Sequence, residues 1–290
     1  MDSTDLLKRV RRIEIVAKGL SAQIFSGTYH SAFKGRGMVF SEVRPYVIGD
    51  DVRRIDWNVT ARLHEPYVKI FEEERELVVM LLLDVSGSAD FGTQSFTKRY
   101  LMAEMAAVLS LSALANNDKV GAIFFTDKVE SFIPPRKGRS HVLRIVRDIL
   151  EFLPSGTRTD VGCSLTFLRN TLKKRATAFL FSDFITPDFE KPLRIASYRH
   201  DLVALHLADL RETEPPRGGL FRLRNNETGE EMWADFSDPL FRKFYIETIR
   251  HRHEKIKGIF SRNGIDYAFI PTHKPYVKTL VNLFERRARR

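Results

Sequence analysis

The residues best suited to chemistry in this chain are oxygen donors. Asp84-Val85-Ser86-Gly87-Ser88 sets one carboxylate and two hydroxyls at alternating positions. Ser182-Asp183 adds a hydroxyl and a second carboxylate, and Gly156-Thr157-Arg158-Thr159-Asp160 supplies further hydroxyls. Apart from Cys163 nearby, no thiolate or imidazole accompanies them. Hard divalent cations want such a set: magnesium takes six oxygens at about 2.0–2.1 Å and keeps some of its waters. Ser86, Ser88 and Thr159 would coordinate directly, with Asp84 and Asp183 binding directly or through water. Two carboxylates cancel the formal charge of Mg2+ yet leave it a strong Lewis acid, so an open position would favour an acidic side chain from a partner. Mn2+ and Ca2+ are the alternative ions.

Taken singly, these residues are commonplace. Ser, Thr and Asp after a strand serve as helix N-caps, and Thr159 or Asp160 could be no more than that. A D-x-S-x-S string arises by chance in roughly one chain in fifteen of this length. What gives the set weight is where the surrounding pattern puts it.

The elements that must position these residues are legible from periodicity. Leu77–Leu83, Val120–Phe125, Ala176–Ser182 and Leu202–Leu207 are apolar runs of strand length, as strands covered on both faces must be. Val129–Ile133 is a shorter strand beyond a turn at Asp127-Lys128. Between the strands lie helical stripes at Lys98–Ala115, Ser140–Leu153, Val161–Arg175 and Asp188–Arg199. This alternation predicts an α/β fold with a doubly wound, mostly parallel sheet. In such sheets ligands bind beyond the carboxyl ends of the strands, which is where Asp84, Ser86, Ser88 and Asp183 fall. After Asp209 a hairpin is expected at about 218–237, with Asn225–Gly229 as its turn. A long helix follows from Pro239 to about Asn263, then a strand at Ile265–Ile270 and a last helix from Pro275. Upstream, Asp5–Phe25 forms an amphipathic helix, and from Tyr29 to Tyr67 the periodicity fades into charged turns. The expected division is 1–76, an N-terminal helix with an excursion, and 77–290, the α/β domain.

Composition bounds the rest. The chain has 290 residues, with 43% hydrophobic and 29% charged, the make-up of an ordinary globular protein. No apolar stretch approaches the roughly twenty residues of a membrane span, and the first residues lack the apolar core of a secretion signal. A single cysteine excludes a disulfide framework and any zinc site built on several thiolates. A cytoplasmic location is therefore expected. The formal charge of +10 permits anionic partners without selecting one, and no nucleic-acid motif accompanies it.

Two resemblances narrow this reading. The DVSGS run with Thr159 and Asp183 resembles the metal-ion-dependent adhesion site of the von Willebrand factor A domain, over about Leu77–Asp209. RPYVIGDDVRRIDWNVTAR (Arg44–Arg62), PYVKIFEEERE (Pro66–Glu76) and NNETGEE (Asn225–Glu231) resemble the signature of a bacterial family catalogued as domain of unknown function 58. That resemblance implies a non-catalytic, cytoplasmic domain of von Willebrand A type, often encoded beside a MoxR-type AAA+ ATPase, which becomes the expected partner. At one position the chain departs from the pattern, since Asp90 follows the second serine closely and would add negative charge.

Within GDDVRRIDW, two readings stand side by side. Asp50, Asp51 and Asp56 with Arg53 and Arg54 form a local ion-pair network worth about 0–1 kcal/mol per exposed pair, or, with Arg44 and Trp57, a docking surface for a partner.

Weaker signals point elsewhere. Lys34-Gly35-Arg36-Gly37 lacks the ending of a phosphate loop. His251 and His253 are spaced for an outer helix face rather than for a shared ligand. Cys163 begins a helix, which slightly favours its thiolate, although a small packed residue suits it as well. A metal-dependent hydrolase using the same Asp84–Asp183 site is the alternative to a binding module. No His or Glu is expected beside the three loops, which favours binding.

Overall fold

The computed structural model describes residues 3–21, 29, 32, 37–74, 77–93, 96–216 and 218–289. Lys34, Gly35 and Arg36 lie outside them, as does the expected end of the first helix at Phe25. The chain divides into two compact units, Lys34–Glu76 and the remainder, Met1–Phe33 with Leu77–Arg290. The expected break near residue 76 coincides with one of these limits. The N-terminal helix, however, belongs with the larger unit and not with the signature segment.

In chain order, α1 (Ser3–Leu20) opens the larger unit. It buries Ile13 and Ala17 in the core, and Glu14 pairs with Arg139. The smaller unit follows. Its β1 (Gly37–Pro45) runs antiparallel to β2 (Tyr67–Glu74), with a bulge between Phe40 and Glu42. A bulge shifts the inside-outside alternation by one residue, and this is why β1 is not legible from periodicity, whereas Val68, Ile70 and Phe71 mark β2 as a strand in the sequence. A 3-10 turn at Val52–Arg54 and the short α2 (Trp57–Leu63) lie between the strands, each started by an aspartate cap. Asp51 accepts from Arg53 N, and Asp56 from Asn58 N and Val59 N. His64, at φ 59°, closes α2.

The larger unit is built on β3 (Val78–Asp84), β4 (Lys119–Phe125), β5 (Val129–Arg136), β6 (Thr177–Ser182), β7 (Asp201–Ala208) and, after the β8–β9 hairpin (Leu220–Arg224, Glu231–Asp235), β10 (Asp266–Pro271). The six-stranded sheet has the order β10-β7-β6-β3-β4-β5. Every pairing is parallel except β4 with β5. The expected doubly wound α/β sheet is therefore present. Alternation along the strands feeds two cores: Val79, Leu81 and Leu83 face one, Met80 and Leu82 the other. The first core is covered by α1, α3 (Lys98–Ala115), α4 (Arg139–Glu151) and, near the chain end, α9 (Val277–Ala288). The second is covered by α5 (Val161–Thr171), α6 (Glu190–Ser197) and α8 (Pro239–Arg262), while the short α7 (Leu210–Thr213) follows β7. Two-sided burial is the reason these strands read as unbroken apolar runs. At one edge β5 carries Pro134 and Pro135, where its register against β4 shifts. Among the described residues no helix is long and apolar enough to cross a membrane.

Candidate metal centre

The strand order fixes where a ligand belongs. From β3 the chain steps outward to β4 and β5, then crosses back to β6, β7 and β10, so the direction of winding reverses between β3 and β6. The crevice at such a reversal, beyond the strand carboxyl ends, is the favoured binding position in these folds. Asp84 ends β3, Ser182 ends β6, and Asp183 follows it directly.

There the side chains interlock. Ser182 Oγ donates to Asp84 Oδ2 at 2.6 Å, while Asp84 Oδ1 accepts from Ser86 N at 3.1 Å. The hydroxyls of Ser86 and Ser88 lie 3.1 Å apart, and Ser88 lies close enough to the Asp183 carboxylate to favour its charged form. Asp183 Oδ1 accepts from Ile185 N at 3.1 Å, and its Oδ2 accepts from Lys98 Nζ at 2.8 Å. Lys98 also donates to Glu212 Oε1 at 2.7 Å. Phe184, in the left-handed region at φ 56°, turns the chain sharply after Asp183. For a bulky residue that conformation costs about 1–2 kcal/mol, and packing of its ring on Phe189, Phe260 and His206 holds it there.

Asp84, Ser86, Ser88 and Asp183 thus form one continuous group. Thr159 reaches it through a fifth side chain. Its hydroxyl donates to Glu227 Oε1 at 2.8 Å, and Glu227 lies close enough to Asp183 to feel its charge. Asp160, by contrast, is a helix cap that accepts from Gly162 N and Cys163 N. The capping role therefore falls to Asp160, and the Thr159 hydroxyl turns to Glu227 instead. All five expected residues apart from Ser88 are buried.

Electrostatics here are dominated by excess negative charge. Burial, and then the Asp183 carboxylate, push Asp84 up to about 7. Burial alone would raise Asp183 as well, but the Lys98 ammonium beside it holds it below the ordinary range. Lys98 is only 2% exposed, and burial disfavours its charge. Asp183 and Glu212 outweigh that and raise its pKa. Burial, with Asp183 adding to it, also raises Glu212 and Glu227. Four carboxylates thus share this end of the sheet with the ammonium of Lys98, which is committed to Asp183 and Glu212. A cavity of ≈ 10 Å3 bordered by Asp84, Ser88, Lys98 and Asp183 is close to the smallest that holds one water-sized occupant. Among the described residues no group of three or more His, Cys, Asp or Glu is spaced to hold a metal. The set is instead one of hydroxyls with carboxylates, and its oxygen chemistry and surplus charge fit a hard cation.

Several expectations need correction. Glu227 and Glu212 stand beside the site, although no Glu was expected there. Both are brought in from afar, Glu227 lying 68 residues from Thr159. Asp90 does not crowd the centre, because its carboxylate turns outward to pair with Arg99. Burial, followed by Asp160 and Asp127, pushes the Cys163 thiol up to about 12, so its thiolate is disfavoured despite the helix start. His253 is not on an outer face. It is half-buried, its ring 4.6 Å from Phe269 and 5.6 Å from His206.

Of the residues expected to dock a partner, all lie in the smaller unit. Arg44 and Asp50 form a two-pronged pair at 2.7 Å, Asp51 and Asp56 are caps, and Asp56 also meets Lys69 at 3.3 Å. Arg53, Arg54 and Trp57 are exposed, Trp57 by 69%.

Comparison with known proteins agrees with the signature segments. The family described as "Protein of unknown function DUF58" matches residues 42–255, which span all three of those segments and every residue of the centre. The chain belongs to this family. Its relatives include the uncharacterized protein Rv1480 of Mycobacterium tuberculosis, 29% identical over all of this chain and 92% of that protein. Another is the uncharacterized protein MAV169 of Mycobacterium avium, 27% identical over 54% of this chain and 94% of that protein. Among solved structures, BatB from Bacteroides thetaiotaomicron matches 74% of this DUF58 chain and 100% of its own, with TM-score 0.43 and 13% identity. The SpRpn10 VWA domain matches 73% and 95%, with TM-score 0.39 and 13% identity. A mussel byssus protein described as having a zinc-occupied MIDAS motif, proximal thread matrix protein 1, matches 46% and 38%, with TM-score 0.38 and 16% identity.

Proposed function

We propose that this DUF58 chain is a non-catalytic protein-binding module whose sheet-end centre holds a divalent cation, magnesium first, for contact with an acidic residue of a partner. One observation carries the reading: Asp84 and Asp183 are buried within each other's field beside the paired hydroxyls of Ser86 and Ser88, and the ammonium of Lys98 is spent on Asp183 and Glu212. Ser86, Ser88 and Thr159 would hold the ion with Asp84 and Asp183, and when bound it would supply Lewis acidity toward a carboxylate. The chain's own residues do the rest. Ser182 orients Asp84, Lys98 orients Asp183, and the chain turns sharply at Phe184 directly after Asp183. The partner suggested by the family resemblance is a MoxR-type AAA+ ATPase or its client.

Glu227 gives substance to a second reading. A carboxylate beside the centre is what a metal-dependent hydrolase needs as a general base. Incubating the purified protein and Mg2+ with phosphoester and peptide libraries separates the two readings, and turnover that disappears in Asp84→Ala would favour the hydrolase.

The binding reading has its own test. An AAA+ ATPase should be recovered with the tagged chain in Mg2+, and recovery should drop several-fold in EDTA or with Asp84→Ala or Thr159→Ala. Equal recovery throughout would rule out a metal-bridged contact. Recovery that falls steeply with salt and ignores EDTA would point instead to the basic surface.

A further inference from the structure

Resting on the metal-binding reading above, we infer that Glu227 is the centre's own acidic ligand: the tip of the β8–β9 hairpin delivers its carboxylate to the position that a partner's acidic residue would otherwise take. The observation is the seating of that tip. Glu227 Oε1 accepts from the Thr159 hydroxyl at 2.8 Å, and the backbone carbonyl of Glu227 accepts from Thr157 Oγ1 at 2.9 Å. A side chain at Gly87, between the two serines of the centre, would strike the carbonyl of Asn226. The tip therefore rests on two of the three loops that build the centre.

The tip is also shaped for the task. Asn225 Oδ1 accepts from Glu227 N at 2.9 Å, and Gly229 takes the left-handed conformation at φ 74° that closes the turn. Glu227 N and its neighbours are thereby tied back into the hairpin, and the carboxylate projects at Thr159. Electrostatics make this placement costly on its own account. Glu227 comes within the field of Asp183, and Asp84 stands close behind it, so a third carboxylate joins a site already short of positive charge. Repulsion of that kind is relieved by a cation shared among the acids. A carboxylate on a short tether also acts at an effective concentration on the order of millimolar. A partner's acidic residue must then displace Glu227, and the hairpin becomes the element that sets how readily the centre accepts outside ligands.

Mn2+ provides the test, because the relaxation of water protons reports the waters left on the bound ion. The full chain, Asp84→Ala, Glu227→Gln and Glu227→Ala are titrated with Mn2+, each first verified as folded by circular dichroism. Wild type should bind and Asp84→Ala should not. Both Glu227 variants should bind about tenfold more weakly, with a higher relaxivity per bound ion equivalent to one additional inner-sphere water. Millimolar acetate should lower that relaxivity in Glu227→Ala and leave wild type unchanged. If wild type binds, Asp84→Ala does not, and both Glu227 variants match wild type in affinity, relaxivity and indifference to acetate, the role of Glu227 is overturned while the metal centre stands. If neither wild type nor the Glu227 variants bind Mn2+, the metal reading falls and this inference with it.

Discussion

At the scale of single residues, Asp84 concentrates the tension of the centre. Burial and the neighbouring Asp183 place it at about 7, against an ordinary value of 3.8. A carboxyl raised on folding contributes stability that is whole below the unfolded value and is lost as pH climbs from there to the folded one. In EDTA, Asp84→Asn should therefore melt close to wild type at pH 4. At pH 8 it should melt higher, by on the order of 5 °C. The same variant should lose all response to Mg2+. Thermal unfolding at the two pH values checks both halves, and a lower midpoint at pH 8 would contradict the assigned repulsion. Metal affinity in wild type should also weaken by about tenfold per pH unit below 7, since the ion must then displace the Asp84 proton.

At the scale of elements, what matters is how the loop before α5 presents Thr159. That loop is pinned from β5: Glu130 accepts from Thr126 Oγ1 at 2.7 Å, Gly156 N at 2.8 Å and Ser155 Oγ at 2.7 Å. Burial opposes the charge on Glu130, yet these donors bring it down to about 2. Its contribution is present above the ordinary glutamate value and is lost as pH falls through about 2. Glu130→Ala should cost about 1–3 kcal/mol and weaken Mn2+ binding, although Glu130 itself stands outside the centre. Unchanged affinity by titration would mean that the loop holds its position without that anchor.

Elements also decide what a sequence discloses. The central strands were legible because burial on both faces writes an unbroken apolar run, and the oxygen donors were legible because they follow those strands directly. β1 was hidden by its bulge. Lys98 and Glu227 were hidden for a different reason. Each looks like an ordinary charged residue on its own segment, and its role appears only when the fold brings it to Asp183, 85 residues away, or to Thr159. The aspartates of GDDVRRIDW could be placed in advance as charged turn residues, but which would cap and which would pair depended on the local backbone.

At the scale of the whole molecule, ligand binding and stability are linked by mass action. Mg2+ at a hundred times its dissociation constant should add about 2.7 kcal/mol and raise the melting midpoint by about 5–10 °C, with EDTA reversing the gain. A midpoint indifferent to saturating Mg2+, Mn2+ and Ca2+ would sink the centre as a cation site. The sheet edge adds one more consequence. Proline has no amide hydrogen to offer, and two consecutive prolines on β5 interrupt the row of donors on which a foreign strand would zip. Growth of the sheet by recruiting another chain is discouraged on that flank, so recognition is channelled away from the lateral backbone and toward the rim where the turns gather.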